Sequence, residues 1–229
     1  MDDDQNPVNP LPPVVVVLAL AIFGIEAVLS LAAQGILGGQ AGIGWRQQAV
    51  TDYGFSPRVW EYVIERGVTD PDLIRRFVTY LFVQISFTHA LFAGALTLAL
   101  GKFVGEAVHW MGLVAIFFGS AIVGAFVYGW VLEGAMPLVG AFPAVYGLIG
   151  AFTYILWMQL GAKGENRWMA FRLIGFLLAL QLIFGLLFGG SPSWIADLTG
   201  FVTGLALCTV IAPGGWRALV ERLRDRGLG

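Results

Sequence analysis

Charge is scarce in this chain. Only 12% of its 229 residues are Asp, Glu, Lys or Arg, about half the share of a soluble domain. So few polar side chains cannot cover a globule, which leaves a lipid bilayer as the solvent. The net charge of -2 gives no basis for binding nucleic acid or an acidic substrate. A single cysteine, Cys208, excludes an intramolecular disulfide framework and a Cys-rich metal site. The two histidines, His89 and His109, join no Asp/Glu cluster with ligand spacing, and neither a phosphate loop nor a dinucleotide fingerprint occurs. No metal, cofactor or nucleic acid is therefore expected.

Long apolar runs are abundant instead. The chain is 58% hydrophobic, with a mean hydropathy of +0.78. Six stretches reach the roughly 20 residues that a crossing needs: Val14–Leu37, Phe77–Leu100, Trp110–Leu132, Pro137–Leu160, Trp168–Phe188 and Trp194–Ala212. They predict an all-α membrane protein. The first stretch is too long for a signal h-region, and acidic "MDDD" precedes it where a signal is basic. With both termini inside, the inner segments hold Lys102, Lys163, Arg167, Arg172, Arg217, Arg222, Arg224 and Arg226. The outer segments hold Arg46, Arg58, Arg66, Arg75 and Arg76, all in the first loop. That bias predicts cytoplasmic termini in the inner (plasma) membrane. The expected organisation is an acidic tail over 1–13, six spans over 14–212 with a first loop at 38–76, and a basic amphipathic tail over 213–229.

The first loop mixes Trp45, Tyr53, Phe55, Trp60 and Tyr62 with its charges, a composition suited to the membrane interface. Within it "SPRVWEYVIERG" predicts a short helix with Ser56 as N-cap, Pro57 at N1 and Gly67 as stop. Ser191 and Pro192 are expected to open the last span in the same way. Small residues let membrane helices approach closely. Gly140, Ala144, Gly147 and Ala151 share one face of the fourth span, and Gly200 and Gly204 form a GxxxG pair on the sixth. The polar exceptions inside spans are Glu26, Gln181 and Asp197. An ionisable residue at the depth of Glu26 is protonated, paired inside the bundle, or facing a partner helix. Asp197, near a helix start, is favoured there by the helix dipole.

Several short motifs stand in order on these spans. "GAFPAVYGLIGAF" contains Gly140, Ala141, Phe142, Pro143, Tyr146, Gly147 and Gly150. "ADLTGFVTG" contains Ala196, Asp197, Gly200 and Gly204, and "QISFTHALFA" contains Gln84, His89 and Ala93. "RRF" ends at Phe77 and "GKFVGE" starts at Gly101. Over roughly Arg75 to Gly204 this arrangement resembles the rhomboid family of intramembrane serine proteases. In that family GASGAxxGLxGA on span 4 supplies the nucleophilic serine, AHxxGxxxG on span 6 the histidine base, and HxxxxHxxxN on span 2 the oxyanion donors. Arg76 fits the family's WR pair, and "GKFVGE" resembles the turn after span 2.

The resemblance implies a six-helix rhomboid-like bundle whose chemistry positions are changed. The serine position is Phe142, the following glycine is Pro143 and the histidine position is Asp197. His89 keeps one oxyanion position, while Gln84 and Ala93 replace the others. Pro143 has no N–H to offer an oxyanion, and after Pro137 it is expected to kink its helix. The expectation is a catalytically inactive member that binds or scaffolds another integral membrane protein. Candidate partner contacts are Glu26, Trp60, Gln181 and Phe184, with span 5 apolar on all faces. The rivals are a divergent intramembrane peptidase using Asp197 and His89, and a small transporter or proton channel using Glu26, Asp197 and His89.

Overall fold

A computed structural model describes residues 10–134, 136–188 and 191–212. The acidic residues 2–4 and the basic tail over 213–229 lie outside the described residues. Five helices are long and apolar enough to cross a bilayer: α1 (Pro13–Ala33), α7 (Phe87–Ala107), α8 (Trp110–Val131), α9 (Phe142–Ala162) and α11 (Trp194–Ile211). A further helix, α10, spans Arg172–Phe188 and follows a 3-10 turn at Arg167–Phe171. The chain is a multi-pass, all-helical membrane protein. Between α1 and α7 run α2 (Gly39–Gly42), α3 (Trp45–Tyr53), α4 (Pro57–Trp60), α5 (Pro71–Ile74) and α6 (Arg76–Thr79). A π-helical turn, Glu61–Glu65, follows α4, and a 3-10 turn, Tyr80–Phe82, follows α6.

The core is centred on α9, which packs against α11, α8 and α7, while α1 lies against α7. Ala144, Leu148, Ile149 and Ala151 are fully buried on it. Glycine sets how close the helices come. A Cβ at Gly204 would meet the carbonyl oxygen of Gly147, and one at Gly200 would meet that of Pro143. These are backbone contacts that no rotamer change relieves.

Several features differ from the expectations set out above. The second span starts at Phe87 rather than Phe77, because Val83 and Ser86 are extended and Ser86 Oγ caps the helix by accepting from His89 N at 3.2 Å. Tyr80, Leu81 and Val83 are apolar because protein buries them, not because lipid surrounds them. The same helix runs on to Ala107, so Gly101–Glu106 is helical and the turn lies at Val108–His109. Pro143 sits in the first turn of α9, where its missing N–H breaks no helical bond, so no kink follows. Gly140 precedes α9 altogether and adopts φ +103°, so it is a turn residue and not part of the helix-packing face. In addition, Ser193 rather than Ser191 occupies the N-cap of α11, and Ser191 Oγ accepts from Ser193 N at 3.3 Å.

The first loop is folded onto the bundle. Phe55 and Leu138 form a two-residue antiparallel bridge, with N···O distances of 3.1 and 2.6 Å. Arg76 Nη1 donates to Thr51 O at 2.9 Å, and Thr79 Oγ1 to Tyr53 O at 3.0 Å. Pro57 starts α4, although Ser56 makes no side-chain cap, and Gly67 turns with φ +65°.

Candidate functional site

The N-terminal end of α9 is where the motif residues meet. Gly140 N donates to Tyr80 O at 2.9 Å, which pins the segment leading into the helix. A Cβ on Gly140 would collide with His89 Cε1 and approach Gln84 Oε1 to 3.3 Å. Glycine is required here both by its φ and by its neighbours. Phe142 opens the helix half-buried, its ring edge-on to His89 with centroids 4.6 Å apart. The head of α9 thus presents an apolar ring resting on the imidazole. Pro143 packs behind it, its carbonyl against Gly200 and its Cβ toward Gly124 of α8.

His89 is oriented by Gln84. Gln84 Nε2 donates to Leu81 O at 2.8 Å, which fixes the amide so that Oε1 faces His89 Nδ1, also at 2.8 Å. An amide oxygen only accepts, so Nδ1 carries the hydrogen. In a neutral ring with that tautomer Nε2 is an acceptor. Gln84 is fully buried.

Glu26, expected either to pair inside the bundle or to face a partner, lies inside the protein, 1% exposed. Arg46 of α3 reaches down to it, with Nη2 2.7 Å from Oε1 and Nη1 2.9 Å from Oε2. Ser30 Oγ donates to Oε1 at 2.6 Å. Arg46 Nη1 also donates to Gln84 O at 2.6 Å. A continuous polar chain therefore links α1, the first loop, Gln84 and His89. Spacing could not announce Arg46 as the partner, since it counted only as one of several loop cations.

Asp197 is 4% exposed in the first turn of α11, where helix N–H groups favour an anion. Tyr80 Oη donates to Ala121 O at 2.8 Å. Trp60 is half-buried, not free at the surface: its ring lies 5.9 Å from Phe126 and against Gly129, with Nε1 buried and lacking a partner among the described residues. Gln181 and Phe184 lie on α10, and their side chains are outside the described residues. His109 is the N-cap of α8, its Nδ1 accepting from Met111 N at 3.4 Å. Among the described residues no group of three His, Cys, Asp or Glu is placed to hold a metal.

No curated protein matches the chain. A family model described as the rhomboid domain matches residues 71–214, more than half of the sequence and every residue that meets at the start of α9. On that match and this helical arrangement, the chain belongs to the rhomboid family.

Proposed function

We propose that this rhomboid-family protein does not cleave peptide bonds and instead holds another integral membrane protein. The observation that carries the reading is Phe142 on His89 at the head of α9. Acyl transfer needs a nucleophile, a base and oxyanion donors. Phe142 offers no nucleophile, Pro143 offers no N–H, and Gln84 engages Nδ1 of His89. Asp197 stands on α11 at the base position without a hydroxyl at Phe142 to deprotonate. A transport path through Glu26 is disfavoured by the bidentate grip of Arg46.

The scaffold that remains is suited to recognising helices. In this reading the 3-10 turn and α10 together make a sixth span, both termini are cytoplasmic, and the protein resides in an inner (plasma) membrane. Phe176 and Ile183 of α10 are 65% and 52% exposed and offer an apolar face to a client span. The test has two arms. A fluorophosphonate probe should leave the purified protein unlabelled, before and after Phe142→Ser, because Pro143 and Asp197 remain; labelling above a heat-denatured control overturns inactivity. A photocrosslinker at Ile183 or Phe184 should capture one discrete membrane protein in native membranes, and one at Gly147 none. Lipid adducts alone at every α10 position overturn the client reading.

A further inference from the structure

The cations at the two ends of the bundle are treated differently. In the first loop four of the five arginines are engaged internally: Arg46 by Glu26, Arg66 by Glu61, Arg75 by Asp72 and Arg76 by Thr51 O. At the opposite end of α9, Lys163, Arg167 and Arg172 are all exposed and form no ion pair among the described residues. They fall within ten residues of chain that contain one carboxylate, Glu165.

These cations are also framed. Trp157 meets Trp168 and Phe171 edge to face, with centroids 5.4 and 5.6 Å apart, and the latter two rings are tilted to each other at 5.9 Å. Arg167 Cζ lies 6.0 Å from the centre of the Trp157 ring. A Cβ on Gly161 would collide with the Arg167 guanidinium, so glycine lets that side chain lie flat on α9. Asn166 Oδ1 accepts from Trp168 N at 3.1 Å and fixes the turn that presents the indole, which is 71% exposed. An exposed tryptophan where spans end is an interfacial anchor at headgroup depth. A guanidinium held on an aromatic face keeps its fork free for a phosphate.

We propose that Lys163, Arg167 and Arg172, framed by Trp157 and Trp168, bind the phosphodiester headgroup of an anionic phospholipid. A free phosphate shares the anionic chemistry but gains nothing from aromatic side chains of the kind that anchor at headgroup depth. Basic pockets between spans take such headgroups. The site is distinct from the α9 head and is independent of whether the protein is catalytic.

The measurement is native mass spectrometry of the full chain, released from bilayers of equal phosphatidylglycerol and phosphatidylcholine. Each cation near an anionic surface contributes roughly five-fold, so retained lipid should favour phosphatidylglycerol by at least about ten-fold. The preference should collapse toward unity in the triple variant Lys163→Gln, Arg167→Gln, Arg172→Gln, and survive Arg58→Gln. Arg167→Lys, which keeps charge and fold but loses the fork, should weaken it, as should high salt on the unaltered protein. Equal retention of both lipids, or an unchanged preference in the triple variant, overturns the proposal. So does displacement of the lipid by millimolar inorganic phosphate, which would mark a free-anion site.

Discussion

Glu26 is a carboxylate at membrane depth, and one arginine makes it tolerable. Its two oxygens receive two Arg46 nitrogens and one serine hydroxyl. Removing one partner of such a pair strands the other in low dielectric, at about 3–5 kcal/mol. Arg46→Met should therefore lower stability by about 3 kcal/mol in a mixed-micelle unfolding titration, the lower end applying because Arg46 is 23% exposed. Adding Glu26→Leu should recover most of that loss, since the stranded charge goes with it. A double variant as unstable as the single one would mean that the pair is not what Arg46 supports. His89 lies downstream of the same chain through Gln84. Gln84→Ala is expected to free the His89 ring to rotate, visible as a second set of imidazole resonances, without creating protease activity.

Between α9 and α11 the contact is backbone on backbone. Gly204→Ala places a methyl on the Gly147 carbonyl and should cost about 1–3 kcal/mol of stability. Gly175→Ala on α10 is the control: nothing lies within 4 Å of its added Cβ, so it should be neutral or stabilising by up to about 1 kcal/mol. If both changes cost the same, the close approach of α9 and α11 is misdrawn. This pairing was legible in the spacing of Gly147, Gly200 and Gly204, because small residues at helical steps have few other uses in lipid. The start of the second span was not legible from hydropathy. Tyr80 and Leu81 are as apolar as membrane residues, yet protein is what covers them. The N-cap Ser86, three residues before His89, was the available signal. Gly140 misled for a related reason: its spacing fits the helix, but its conformation belongs to a turn.

As a whole the molecule has two unlike ends. One carries the folded first loop and the head of α9; the other carries the exposed basic turn at Lys163–Arg172. The proposed orientation puts these on opposite sides of the membrane. In a Cys208→Ala background, a cysteine at Arg58 should react with an impermeant maleimide in intact cells, and one at Lys163 only after permeabilisation. Reaction from the same side would break the topology.

The bridge between Phe55 and Leu138 also bears on how the protein is made. Residue 55 leaves the ribosome well before residue 138, with α7 and α8 synthesised in between. Until the segment ahead of α9 arrives, the first loop lacks its strand partner and the acceptor for Phe55 N. Contacts of such long sequence separation form late and slowly. The loop should therefore stay protease-sensitive in chains stalled before residue 138 and become resistant once α9 has inserted, which makes its docking a finishing step of biogenesis.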